Sequence, residues 1–289
     1  MPGGIHSEQL RLRRLITSMR SAFEMDQQFS QPRVPELAHL RTRRHSLNPP
    51  KTLRGKIALA LQNRLEAFVA RVSILPDTPV YKPSDFAWVG AVEAQWPAIR
   101  AELDTVMTFR DQMPSFHEIL KEVSTITTDD SWKTFFLLGA GMDCSDNARR
   151  CPQTTRILGE IPGAVTAFFS ILAPGKHIPA HRGAYNGVLR FHLGLIVPGP
   201  AGACRIRIAD QICTWREGES LIFDDSFNHE VWNDTGGWRV VLFVDVARPL
   251  RQPWHWLNRK FIGLGKLAPF LRDAGMKQKN WARDFYGKS

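Results

Sequence analysis

The sequence predicts a fold that is mainly β with flanking helices, its core an antiparallel sandwich or jelly roll. Three observations carry that reading. From Trp132 onward, runs of four to ten residues rich in β-branched and aromatic types alternate with Gly, Pro and Asp turns. About eight such runs follow one another at the close spacing of an antiparallel sandwich. On either side of this region, apolar residues recur at helical spacing instead.

Taken in order, residues 7–25 read as a basic helix, with Leu10, Leu12, Leu15, Ile16 and Met19 on a broad apolar face. The stretch 27–56 is rich in Pro, Arg, Ser and Gln, lacks periodicity and reads as a linker, so that 1–56 forms a basic N-terminal arm. A helical flank, 57–130, follows. Its first helix, over about 54–73, sets Ile57, Ala58, Leu61, Leu65, Phe68 and Val72 at helical spacing, and Asp77-Thr78-Pro79 ends it. A further helix over 91–109 turns Val92, Trp96, Ile99, Leu103 and Val106 inward. The β core spans 131–250, with strands expected at 133–138, 164–172, 187–197, 204–208, 211–215, 219–223, 228–233 and 238–246. Residues 251–289 return to helix, basic and aromatic, interrupted by Gly and Pro.

Two polar stretches interrupt the apolar strands: HIPAHRGAYNGVLRFHLGL, with His181 and Arg190, and LIFDDSFNHEVWNDTGGWRVVLF, with His229 and Arg239. Imidazoles brought together from strands far apart in sequence suit Fe(II), Zn(II) or Cu(II). Arginines beside them offer a forked donor for a small carboxylate. On strand 187–197, alternation sets Arg190, His192 and Gly194 on one face and Leu189, Phe191, Leu193 and Leu195 on the other. A solvated outer face would read the same way, and His229 could equally be a hydrogen-bonded structural residue. Trp132 and Lys133 belong either to the core or to the mouth of a pocket.

Charge is uneven. Residues 1–60 hold 11 Lys/Arg against 4 acids, residues 251–289 hold 9 against 2, and the 190 between them hold 18 against 22, within a net charge of +10. Basic ends attract anionic partners, and an aromatic, Lys/Arg-flanked segment such as 254–272 suits a membrane interface. Solvated helix faces account for the same charges. Nucleic acid is not expected, since no stacking platform or recognition motif accompanies the charge. No apolar run approaches the roughly 18–20 residues of a membrane span. The N-terminus lacks the apolar core of a secretory signal, and Glu8, Glu24 and Asp26 weaken a transit-peptide reading. Cys144, Cys151, Cys204 and Cys213 lack zinc-type spacing and are expected reduced, although the first two could close a surface loop under oxidising conditions. The expected location is cytoplasmic, with peripheral membrane contact as an extension of the basic-aromatic reading.

The segments SILAPGKHIPAHRG, GVLRFHLGLIVP, CRIRIADQICTWREGESLIFDDSFNHEVWND and WRVVLFVDVARPL resemble the aspartyl/asparaginyl β-hydroxylase family over about residues 130–250. CPQTTRILGEIPG and the ARPLR stretch are similar to its bacterial branch, which includes lipid A acyl-chain 2-hydroxylases. The resemblance implies a cupin-like double-stranded β-helix using Fe(II), 2-oxoglutarate and dioxygen. It implies His181 and His229 as iron ligands, and Arg239 as partner of the distal 2-oxoglutarate carboxylate. Arg190, His192 and Ser170 would contact the same cosubstrate. The usual third ligand, a carboxylate two residues after the first histidine, is Gly183 here. Lipid-hydroxylating relatives carry Asp at that place, and the animal aspartyl hydroxylases carry Gly and use water. Asp224 and Asp225 are alternative donors. The implied substrate is either an Asp/Asn side chain in a peptide or the acyl chain of a lipid. A non-catalytic module that binds a metal and an organic acid is the alternative from another class.

Overall fold

The computed structural model describes residues 35–41, 50–139, 141–265 and 268–287, so the predicted basic helix 7–25 lies outside the described residues. The strands are β1 (Val80–Tyr81), β2 (Trp132–Leu138), β3 (Ala164–Leu172), β4 (His177–His181), β5 (Val188–Ile196), β6 (Cys204–Ile208), β7 (Gln211–Thr214), β8 (Ser220–Phe223), β9 (His229–Asn233) and β10 (Arg239–Ala247). The α-helices are α1 (Leu53–Val72), α2 (Val89–Glu93), α3 (Trp96–Met107), α4 (Phe116–Ile119), α5 (Ser145–Arg150), α6 (Pro152–Glu160), α7 (Trp254–Gly265) and α8 (Pro269–Tyr286).

The strands form a larger sheet, β1-β8-β5-β10-β3-β2, and a smaller one, β4-β9-β6-β7, with antiparallel pairing throughout. From β3 to β10 the chain winds from one sheet to the other and back, which is the double-stranded β-helix. Phe136, Phe168, Leu172, Val241 and Phe243 of the larger sheet meet Ile178, Ile206, Ile208 and Val231 of the smaller in one apolar cluster. The opposite face of the larger sheet packs Phe135, Phe169, Leu189, Phe191, Leu193 and Leu242 against Ile99, Leu103, Ile157 and Leu158 from α3 and α6. Each such side chain, fully buried, contributes roughly 1.5–3 kcal/mol.

The eight predicted strands are present within a residue or two of their expected limits. Two strands were not predicted, β1 and β4. HIPAH carries two histidines and a proline, and as the edge strand of its sheet it tolerates a residue without an N–H. The helix expected over 91–109 is two helices, because Pro97 in the first turn of α3 cannot continue α2. Within the predicted linker, Pro35–Arg41 forms a 3₁₀ helix that buries Leu40 and pairs Arg41 with Asp210 at 2.5 Å. All four cysteines are free and buried, so Cys144 and Cys151 are not on an exposed loop. Burial pushes the Cys144, Cys151 and Cys213 thiols up to about 12. Lys133 turns from any mouth to Ser115 and Asp130, and Trp132 is a core residue. Among the described residues no helix is long and apolar enough to cross a membrane.

Helix α3 is tied to β5 by Trp96, whose Nε1 donates to the Gly194 carbonyl at 2.7 Å, and by Arg100, which donates to that of Leu195 at 2.6 Å. Gly194 is needed there, because a Cβ would lie 2.1 Å from the Arg216 carbonyl oxygen. Gly194→Ala is expected to destabilise the protein by about 2 kcal/mol or more, read as a lowered urea midpoint at unchanged m value.

Candidate metal and anion site

Strands β4 and β9 pair so that His181 stands directly opposite His229. A bulge produces this pairing. Ile178 faces Val231 inward, and two residues of β4, Pro179 and Ala180, then oppose Glu230 alone. The extra residue shifts the alternation by one, so His181 rather than Ala180 shares the inner face with His229. The two rings lie 4.2 Å apart between centroids, tilted by 54°.

Each imidazole makes the same backbone hydrogen bond. Nδ1 of His181 donates to the Pro179 carbonyl at 2.8 Å, and Nδ1 of His229 to the Phe227 carbonyl at 3.0 Å. A carbonyl only accepts, so the proton of each neutral ring sits on Nδ1 and the Nε2 lone pair is left for another partner. Burial lowers the pKa of His181 to about 4. Burial and the neighbouring His181 hold His229 well below its ordinary value. Two neutral rings with fixed tautomers fit a divalent metal ion. His181 is partly exposed and His229 buried, so such an ion would lie between rim and interior. Among the described residues no group of three or more His, Cys, Asp or Glu could hold a metal.

At Gly183 a side chain would meet the Asp225 carboxylate. A Cβ there would fall 2.2 Å from Oδ2 of Asp225, whose backbone carbonyl accepts from the Gly183 N–H at 2.7 Å. Asp225 in turn pairs with Nη2 of Arg190 at 2.9 Å. Burial pushes the Asp225 carboxyl up to about 6 in spite of Arg190. Asp224 points elsewhere. Its carboxylate accepts from the Ser226 backbone at 3.0 Å and hydroxyl at 2.5 Å, and pairs with the fully buried Arg248 at 2.8 Å.

Four further predicted residues lie on the inner face of the larger sheet. Register sets Ser170 beside Val241, His192 beside Phe243 and Arg190 beside Asp245, while Arg239 opens β10 opposite Leu172. Arg190 is already engaged by Asp225 and by Asp245, the latter at 3.2 Å, and lies over the Phe243 ring. Ser170 Oγ accepts from Trp132 Nε1 at 3.0 Å and keeps its own proton to donate. His192 is buried among Trp215, Phe223 and Phe243, with no hydrogen-bond partner on either nitrogen. Burial, then Arg239 and Arg190, hold it well below its usual pKa. Arg239 is 2% exposed, lies 4.6 Å over Trp215, and leaves Nε and Nη1 without a partner. Burial lowers it to about 10. A buried guanidinium without a carboxylate costs several kcal/mol, and a bound anion would offset that cost. Trp215 and Asp245 were not singled out in the sequence. Asp245 did carry a signal, an acid within VVLFVDVA on the same strand face as Arg239.

Residues 93–249 match the family model described as aspartyl/asparaginyl beta-hydroxylase. The chain is 46% identical to the ornithine lipid ester-linked acyl 2-hydroxylase of Rhizobium tropici over 224 residues, 78% of this chain and 80% of that one. It is 33% identical to the human aspartyl/asparaginyl beta-hydroxylase over 208 residues, 69% of this chain but 26% of that protein. A Pseudomonas putida prolyl-4-hydroxylase structure aligns with TM-score 0.34 and 19% identity, covering 53% of this chain and 87% of that one. A 2OG-Fe(II) oxygenase family oxidoreductase from Burkholderia pseudomallei gives 0.31 and 10%, covering 42% of this chain and 68% of that one.

Two outcomes follow from the geometry. Gly183→Asp should lower the melting temperature, and the loss should shrink when Asp225→Ala is combined with it, a coupling of about 1 kcal/mol or more in a double-mutant cycle. Arg239→Met should raise the melting temperature of the ligand-free protein. It should also abolish the stabilisation by 2-oxoglutarate, about 2.7 kcal/mol in the unmodified protein at a hundredfold excess over Kd.

Proposed function

The chain belongs to the aspartyl/asparaginyl β-hydroxylase family, and we propose that it is an Fe(II)- and 2-oxoglutarate-dependent dioxygenase that hydroxylates the acyl chain of a lipid. One observation supports the cofactor reading above others. An unpaired, buried guanidinium, Arg239, stands on the inner face of the larger sheet beside His192, and two neutral imidazoles whose Nε2 atoms are free stand on the smaller sheet packed against that face. That pairing of donor types suits an ion and a dicarboxylate held together.

In this reading His181 and His229 hold Fe(II), and Arg239 receives the distal carboxylate of 2-oxoglutarate. Ser170 donates its hydroxyl proton to the same carboxylate. His192, neutral and unpartnered, supplies one N–H to the cosubstrate. Arg190, fixed by Asp225 and Asp245, lines the pocket with less freedom than Arg239. Bound Fe(II), 2-oxoglutarate and dioxygen together supply the oxidising power to convert an unactivated C–H to C–OH, with succinate and CO2 as co-products. Trp215, Phe223 and Phe243 pack around His192 and keep water from the interior.

The acyl-chain substrate rests on the Rhizobium tropici relative, matched over most of its own length, and on apolar surface beside the loop that follows His181. An Asp or Asn side chain in a peptide, the substrate class named for the human relative, is the second reading.

Anaerobically Fe(II)-loaded protein given 2-oxoglutarate and air should form succinate, and a lipid extract should stimulate it more than an Asp/Asn peptide pool. His181→Ala and His229→Ala should each abolish turnover. Arg239→Ala should raise the 2-oxoglutarate KM by about tenfold or more, the cost of losing a charge-assisted contact. Iron-dependent succinate that survived either histidine change would sink the ligand assignment. Its absence with every pool would favour a non-catalytic module.

A further inference from the structure

We propose that α1 and α7 form a docking surface for a bilayer rich in anionic lipid, an inference that takes its direction from the acyl-chain reading above. Leu53, Ile57, Leu61 and Leu65 lie four residues apart on α1 and are 74%, 52%, 60% and 43% exposed. The buried residues of α1, Glu66, Val69 and Val72, all belong to its C-terminal half, so the N-terminal turns stand clear of the core. Helix α7 exposes Trp256, Leu257, Phe261 and Leu264. An ordinary surface helix turns its apolar stripe inward. Here apolar rows on two helices face outward, beyond the scattered single residues that any surface carries.

Charge decides what would cover them. Arg54, Lys56, Arg64 and Arg71 are exposed along α1, Arg251 precedes α7, and Arg259 and Lys260 are exposed within it. The one acid on either helix, Glu66, is buried and bound to Arg182. Apolar and aromatic side chains bordered by cations, with no exposed acid between them, match the headgroup boundary of an anionic leaflet. The Lys260 ammonium also lies over the Trp256 ring, 5.7 Å from its centroid, so cation and aromatic share this face.

The same helices hold the rim of the candidate site. Gln62 Nε2 donates to the Ala184 carbonyl at 3.1 Å, Asn186 Nδ2 to that of Glu66 at 2.9 Å, and Asn258 Nδ2 to that of Gly187 at 2.8 Å. Tyr185 donates its hydroxyl to Asn258 Oδ1 at 2.7 Å. The loop leaving His181 is thereby sewn to both helices. Between them lies an apolar groove of about 180 Å³, lined by Leu65, Phe68, Tyr185, Trp254, Leu257 and Phe261. Docked on this face, the protein would meet acyl chains along a groove that reaches Tyr185 in the loop after His181.

Co-sedimentation of the full-length protein with vesicles tests this without iron or cosubstrate. Phosphatidylcholine vesicles containing phosphatidylglycerol should bind the protein about tenfold or more tightly than phosphatidylcholine alone, and salt should weaken the binding. The double variant Ile57→Glu/Leu61→Glu, and separately Trp256→Ala, should each lose about tenfold in partition with unchanged circular dichroism. Wild-type protein left in the supernatant, or variants that bind as tightly as wild type, would overturn the proposal. It would also fall if Leu61→Glu converted a dimer to a monomer without affecting vesicles, or if binding appeared only after residues 1–34 were deleted. The two readings fail separately. Succinate formation on detergent-dispersed lipid without vesicle binding would spare the hydroxylase and remove the docking surface, whereas the reverse pattern would keep the surface and remove the hydroxylase.

Discussion

A positive charge buried between two β-sheets has to be answered by a negative one, and at Arg239 the described residues do not answer it. The contrast with Arg190, one strand away, makes the point. Arg190 has two carboxylates and its pKa is raised, because Asp225 and Asp245 outweigh the burial that alone would lower it. Arg239 has only the Trp215 ring beneath it, and burial alone brings it down. A fold under selection for stability alone would fill this place with an apolar side chain of similar volume. On the proposed reading, the guanidinium lowers the stability of the ligand-free protein and raises its affinity for a carboxylate. The alternation of β10, which sets Arg239 inward while Val240, Leu242 and Val244 enter the opposite core, gives the charge no route to solvent.

The metal end of the site follows the same economy by different means. Neither histidine is held by a carboxylate. Each is held by the backbone carbonyl two residues before it, so strand geometry itself fixes the ring and its tautomer. Asp225 occupies the space a side chain at 183 would need, and it serves Arg190 instead of the histidine pair. The choice of glycine at 183 and the ion pair at 190 are thus one structural decision. On the proposed reading, two imidazoles without a carboxylate would leave more of a metal ion's coordination sphere to small molecules than a two-His, one-carboxylate site would.

Much of this was legible in the sequence, for a physical reason. Strands buried on both faces, such as β3, β5 and β10, are rich in apolar residues, and their polar exceptions (Ser170, Arg190, His192, Arg239 and Asp245) fall on one parity. Period-two reading finds Arg190, His192 and Arg239, while Ser170 comes from the family resemblance alone and Asp245 is passed over. The same reading cannot find β4, whose bulge at Pro179–Ala180 breaks the parity that it relies on. The bulge is also what makes His181 a partner of His229, so the irregularity hidden from pattern analysis carries the geometry of the site. Long-range pairings were equally out of reach. Nothing local to Asp225 announces Gly183, and nothing local to Trp215 announces Arg239. The helices fared as their contexts allow: Pro97 divides one predicted helix, and α5 and α6 are short and sit beside Cys151-Pro152, too brief for periodicity to register.

How order is distributed across the molecule bears on how a substrate would enter. The inner face of the larger sheet is built on β5, β10 and β3, each paired on both sides and backed by helices, so Ser170, His192 and Arg239 sit on a rigid floor. His181 lies instead on an edge strand, paired with β9 alone, and the loop after it is bonded to both α1 and α7, by Gln62, by Asn258 and by its own Asn186 on the Glu66 carbonyl. Anything that presses on those two helices acts on the rim of the site before it acts on the floor. A floor at the centre of a sheet and a rim on an edge strand suit the proposed reaction, whose cosubstrate is always the same and whose acceptor is large and arrives from outside. That division is written in strand order: Ser170, His192 and Arg239 occupy the centre of one sheet, and one of the two imidazoles occupies the edge of the other.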